Sequence, residues 1–180
     1  MTAPTVPTFD TLERLTATKL NQLGDAVEFQ VAADGIYTPV ISAAGGTPAV
    51  GASGFLTGKW WRHSNHVTAV IDLCISGAGS SLAGTSWRIT LPFVADLTFH
   101  KANVLNAESD CIGNFQTHTT VSADARTGSC LLSGPSGTDT TGDAIVFYPN
   151  GSTGSLGTGN FTTTGRVKAI VSYVADPTAI

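Results

Sequence analysis

From Ile36 onward the apolar residues of this chain recur at every second position, whereas between Thr16 and Val27 they recur at helical spacing. The two periods divide the sequence. In "HVTAVIDLCI" the residues Val67, Ala69, Ile71, Leu73 and Ile75 fall on one side of an extended chain. In "WRITLPF" Trp87, Ile89, Leu91 and Phe93 point one way, while Arg88 and Thr90 point the other. "TTGRVKAIVSYVA" places Val167, Ala169, Val171 and Tyr173 on one face, and "DAIVFYP" is a short, strongly apolar run. Further strands are predicted in "FLTGKWWRH", with Gly58 as a candidate bulge, and in "IYTPVI", where Pro39 argues for a sheet edge. Weaker ones fall near "DLTFHKANVL", "CIGNFQTHTTV" and "SCLLS". The separators "AAGGTPAVGASG", "SGAGSSLAGTS" and "NGSTGSLGTGN" are rich in Gly, Ser and Thr and read as loops. About eight strands parted by turn chemistry predict a mainly β protein, an antiparallel β-sandwich or jelly-roll-like domain preceded by one short N-terminal α-helix.

The helix follows an extended leader, because Pro4 and Pro7 disfavour helical backbone before them. Thr16 is a good N-cap, which puts Leu15 and Leu20 at the two positions of a hydrophobic staple. Leu20, Leu23 and Val27 then form an apolar stripe, widened by Ala26, with Leu12 and Leu15 ahead of it. Gly24 costs about 1 kcal/mol relative to Ala, and isolated helices of this length are marginal in water. The stripe therefore needs a surface to pack on. "VAADGIY" closes the helical region, with Asp34-Gly35 predicted as a turn. The expected organisation is an arm and amphipathic helix over 1–35, serving attachment or oligomerisation, and a β-sandwich domain over 36–180. No repeat and no second domain is visible.

Composition narrows the classes. Charged residues make up 12% of the chain, about half the usual share, and the net charge is −4. The nine Lys and Arg are scattered singly, so the clustered cationic footprint of a nucleic-acid binder is missing from the sequence. No apolar run approaches the roughly 20 residues of a membrane span, and "MTAPTVPTFDTLER" lacks the basic and apolar regions of an export signal. Neither nucleic acid nor membrane is an expected partner. Cys74, Cys111 and Cys130 are odd in number and widely spaced, the pattern of buried small hydrophobes in a protein made in reducing cytoplasm.

Catalytic signals are weak. There is no GxSxG, and "SGPSGTD" around Ser136 reads as a loop. The Gly-rich runs carry no Lys-Ser/Thr and no following helix, so no phosphate loop is predicted. His63 and His66 in "WRHSNH" flank a probable hairpin turn; with a carboxylate such as Asp72 they could hold a metal, but no third ligand is signalled. His100 and His118 stand alone in expected strands, and Glu108 and Asp110 read as solvated loop charge. Asn150 and Asn160 open N-glycosylation sequons, which without an export signal are read as unused. Alternation sends one of Trp60 and Trp61 inward and the other outward, where it would serve a sugar platform or a subunit contact. The expectation is a non-enzymatic protein without metal or cofactor.

Two stretches resemble virion surface proteins of tailed bacteriophages. "LTATKLNQLGDAVEF" is similar to the short-helix start of tail-fibre, head-fibre and decoration proteins. Residues 37–93 resemble a β module recurring in phages of actinobacteria: Tyr-Thr-Pro, a Gly-rich loop, the strand around "GFLTGKWWR", an alternating strand, and "GTSWRITLP". The resemblance implies a structural protein of the virion surface, made in the host cytoplasm, and a homotrimer. No long shaft separates helix from β domain, which fits a capsid decoration or head-fibre protein docked on the major capsid protein. The alternative is a minor tail or tail-tip module whose loops at 76–86, 134–143 and 150–160 contact host glycans.

Overall fold

The computed structural model describes residues 16–30, 33–100, 111–118, 126–132, 142–150 and 165–178, with backbone alone at 24–30 and at His118. Among the described residues one helix, α1 (Ala17–Gln30), precedes nine strands. These are β1 (Ala33–Tyr37), β2 (Ile41–Ala44), β3 (Phe55–His63), β4 (His66–Ile75), β5 (Thr85–Thr90), β6 (Cys111–His118), β7 (Thr127–Leu132), β8 (Ala144–Pro149) and β9 (Gly165–Val174). The protein is mainly β, as its alternation predicts, and the strands form one antiparallel sheet in the order β1-β3-β4-β9-β6-β7-β8-β5-β2.

The alternating positions make the core. Val67, Ala69, Ile71, Leu73 and Ile75 of β4 are all buried, as are Val167, Ala169, Val171 and Tyr173 of β9. The two strands pair along their whole length, so these rows face the same way. Trp87, Ile89 and Leu91 reach the same cluster from β5 and its end, with Phe93 packed against it. Ile145 and Phe147 of β8 complete it, Phe147 meeting Phe115 edge-on at 5.2 Å between centroids.

β1 and β2 are consecutive in the chain yet lie at opposite edges of the sheet. Three residues, Thr38–Val40, carry the chain from one edge to the other. The sheet therefore curls until its edges nearly meet, giving a sandwich-like shell around a single core. Thr90 at the end of β5 forms the junction. Its N–H donates to the Val40 carbonyl at 3.0 Å, its hydroxyl accepts from the Val40 N–H at 2.9 Å, and its carbonyl accepts from the Tyr37 hydroxyl at 3.4 Å. Pro39 sits in this crossing, where no ladder N–H is required of it.

Four local expectations are corrected. "IYTPVI" is two strand ends and a crossing rather than one strand. Asp34-Gly35 is not a turn but part of β1, paired with Trp61 and Trp60 of β3. A Cβ on Gly35 would come within 2.8 Å of the Trp60 ring, so the indole lies directly on this backbone. Gly58 is no bulge, since β3 and β4 stay in register through it; a Cβ there would collide with the Tyr37 ring. In "DLTFHKANVL", residues 96–100 form a turn and 101–105 lie outside the described residues. The turn wins because the Asp96 carboxylate accepts from the Thr98 N–H at 2.8 Å and the Phe99 N–H at 3.3 Å. The hydrogen bonds from Thr98 hold that carboxyl below its ordinary pKa.

Two buried side chains tie the turn region to β9. The Tyr173 hydroxyl donates to the Phe93 carbonyl at 2.9 Å and accepts from the Phe93 N–H at 3.3 Å. His100, also buried, accepts the Val174 N–H on Nε2 at 2.8 Å.

Leu91→Ala should cost about 2–5 kcal/mol, because the site is 8% exposed and closed in by the core. Ile36→Ala, at a site 85% exposed, should stay within about 0.5 kcal/mol. Urea unfolding of both variants checks the assignment of faces, and equal losses would refute it.

Burial pushes the phenols of Tyr37 and Tyr173 well above their ordinary value of 10.0, and the Cys130 thiol well above 9.0. Below those values folded and unfolded chains are equally protonated. Above them the unfolded chain releases protons that the folded chain retains, so stability falls as pH rises. The urea midpoint should hold steady up to about pH 9 and drop progressively beyond it. Tyr37→Phe should reduce the slope; an unchanged slope would remove Tyr37 as a cause.

Candidate functional site

The helix forms as its cap predicts. The Thr16 hydroxyl accepts from the Lys19 N–H at 3.3 Å, and the Leu20 N–H donates to the Thr16 carbonyl at 3.0 Å. Leu20 and Leu23, one turn apart, are 49% and 39% exposed. Val27 continues the stripe along the backbone, though its side chain, like Leu12 and Leu15, lies outside what is described. Two residues, 31 and 32, separate Gln30 from Ala33, so the helix is followed in the chain by an edge strand of the sheet.

Alternation decides the two tryptophans. Trp60 turns inward against the core, meeting Phe93 edge-on at 4.9 Å. Trp61 turns outward, 41% exposed, with the Lys59 ammonium 4.9 Å from its ring centre. That arrangement is a cation–π contact, the ammonium attracted by the negative face of the indole.

Cross-strand register arranges the outward side chains in rows. One row runs Ile36, Lys59, Val70, Ile170, Asn114, Ser129 and Tyr148 across β1, β3, β4, β9, β6, β7 and β8. The neighbouring row runs Thr57, Asp72, Lys168, Gln116 and Thr127, with Asn150 just past the end of β8. Where the two rows cross β9, β6 and β7 they border a groove of about 560 Å³, lined by Asn114, Gln116, Thr127, Asn150, Lys168 and Ile170. Asn150 is fixed at its rim: its backbone N–H donates to the Thr127 carbonyl at 2.8 Å and its amide to the Thr127 hydroxyl at 3.4 Å.

Asp72 is not available to Lys168, although the register sets them opposite each other. Arg166 takes both carboxylate oxygens, Nε to Oδ1 at 3.0 Å and a terminal nitrogen to Oδ2 at 2.7 Å. The hydrogen bonds and charge of Asp72 raise the Arg166 pKa, and the guanidinium also lies 5.4 Å from the Phe55 ring centre. Lys168 has no ion pair among the described residues.

His63 and His66 do flank a hairpin turn and stand opposite each other across β3 and β4, with Ser64 at a positive φ of 55° in the two-residue connection. Asp72, their suggested third ligand, is six residues farther along β4, roughly 20 Å away at strand rise. Among the described residues no three His, Cys, Asp or Glu side chains are grouped to hold a metal. Cys74, Cys111 and Cys130 are free thiols, and Cys130 is buried; Cys111 is exposed, against the expectation for a small hydrophobe. No helix among the described residues is long and apolar enough to cross a membrane. Of the three loops, 76–86 is described and tied down by a bridge between Ala49 and Ser81; 134–141 and 151–160 lie outside the described residues.

The groove is the feature that sequence reasoning misses. Its signal is present strand by strand, as polar outward positions in "CIGNFQTH" and "RVKAIVSY", but only the register joins them into one surface. Comparison with protein-family models, curated proteins and solved structures found no match to this chain.

Proposed function

We propose that this protein is a non-enzymatic structural protein of a tailed-phage virion, a capsid decoration subunit that docks on the major capsid protein through its N-terminal arm and displays the β domain outward. The observation that carries the reading is the exposed Leu20–Leu23 stripe on a helix that precedes the edge strand of a sheet with its own core. About half of the surface of these two side chains stays exposed in a subunit alone. Docked against a partner, covering the surface that Leu20 and Leu23 still expose contributes about 1 kcal/mol each. The resemblance of residues 15–29 and 37–93 to virion surface proteins supplies the partner. It also supplies the trimer, since closed symmetry buries equivalent stripes without leaving open surface.

A second reading, a minor tail or tail-tip module contacting host glycans, draws on Trp61, whose exposed face suits stacking on a sugar.

Antibody or gold labelling on intact particles separates the two: head labelling supports decoration, label confined to the tail supports the second reading, and no label on virions rejects both. For decoration, particles stripped of the protein should rupture at lower temperature than intact ones.

Leu23→Asp places an unpaired charge in the proposed contact, a costly change when buried. It should abolish trimers or attachment while leaving the thermal transition of the β domain in place. Light scattering checks this, and a wild-type chain that stays monomeric both free and on the particle would refute the trimer.

A further inference from the structure

We propose that the groove across β9, β6 and β7 is a carbohydrate-binding site that takes an extended, hydroxyl-rich oligosaccharide running across the strands. The proposal is independent of whether the protein sits on head or tail. Its first ground is the donor and acceptor set. Asn114, Gln116 and Asn150 each carry an amide with two donor hydrogens and an acceptor oxygen, and Thr127 adds a hydroxyl. Sugar hydroxyls both donate and accept, so neighbouring hydroxyls on a ring match such amides. Asn114 and Gln116 have no side-chain hydrogen-bond partner among the described residues, which leaves both amides open to a ligand.

The second ground is the mixture of surfaces. Ile170, 55% exposed, stands opposite Asn114 and offers an apolar patch for the C–H face of a ring. Lys168 stands opposite Gln116 with its cross-strand carboxylate already taken by Arg166, so its ammonium can donate to a hydroxyl or a uronate. From Lys168 through Gln116 and Thr127 to Asn150 there are three inter-strand steps, roughly 14 Å, enough for a short run of pyranose rings.

The third ground is what the groove refuses. β6 lies between β9 and β7, and its ladder groups are engaged on both sides, so no backbone edge is open for a peptide strand to add. A single lysine on a chain of net charge −4 does not suit a polyphosphate backbone. The lining residues stand mainly on interior strands of the sheet, so little ordering cost accompanies binding.

The test uses the full chain on an array of defined neutral and uronate-bearing oligosaccharides, followed by titration of the best ligand. The variants are Asn114→Ala/Gln116→Ala in one chain and, as a control on the far edge strand, Ile36→Ala in another, with thermal melts to confirm folding. Wild type should bind a subset of the array. The double variant should lose at least about tenfold in affinity while Ile36→Ala stays within about twofold of wild type. Should the double variant not fold, Lys168→Glu is read in its place with the same expected loss. Silence across the array, unchanged binding by the groove variant, or loss in Ile36→Ala alone would each overturn the proposal. None of these outcomes bears on the particle-labelling result, so the two readings fail separately.

Discussion

The sheet can shield its inner face only if its edge strands, β1 and β2, are brought within one short connection of each other. Thr38–Val40 impose that distance covalently, and Thr90 fixes the junction through its N–H, its hydroxyl and its carbonyl. Everything inside depends on this closure. A flat sheet of these strands would leave Trp87, Ile89, Val167 and Tyr173 facing water; the curled one buries all four. Beside the seam β1 pairs with β3. There the chain uses glycine on one strand and an aromatic ring on the other, Gly35 under Trp60 and Gly58 under Tyr37. Each pair lets a large ring lie flat on the neighbouring strand, which fills the space near the seam without pushing the strands apart.

The central strands and this seam were not equally legible. β4 and β9 could be read directly, because a strand with one buried face must alternate and theirs do so without interruption. The seam could not. Asp-Gly is a strong turn signal in isolation, yet at Asp34-Gly35 the pairing with β3 overrides it, and the glycine is explained by a tryptophan 25 residues away. The same holds in the opposite direction at Asp96. Leu97 and Phe99 suggest a strand, but the carboxylate captures two backbone N–H groups locally and the chain turns. Local rules fail here because long-range pairing, or one side chain's competing hydrogen bond, carries more free energy than the pattern does.

The same reasoning explains the candidate surfaces. The exposed stripe on α1 is legible because helical spacing alone puts Leu20 and Leu23 together. That one tryptophan faces outward is also legible, but which one depends on the register of β3. The groove is less accessible still. Its members come from β6, β7, β9 and the end of β8, and Gln116 lies beside Lys168 only because β6 pairs with β9 across an interval of some fifty residues. Outward positions are also free of the packing constraint that makes inward ones periodic in hydrophobicity.

Closure also separates stability from recognition. With one continuous core inside the shell, outward side chains on β3, β4, β9, β6 and β7 contribute little to folding, and substitutions there should be nearly neutral for stability. The outer face nevertheless combines Ile36, Trp61 and Ile170, all substantially exposed, with the amides of the groove, while the exposed leucines lie on α1, which precedes β1 in the chain. Ile36 and Ile170 share one register row, with Lys59 and Val70 between them, while Trp61 stands in the next. On the proposed readings, a docked helix and a ligand-bearing sheet face would act without disturbing each other, because the core includes neither the α1 leucines nor the groove amides. That independence is what the proposed arrangement, anchored through α1 and displaying the sheet, requires.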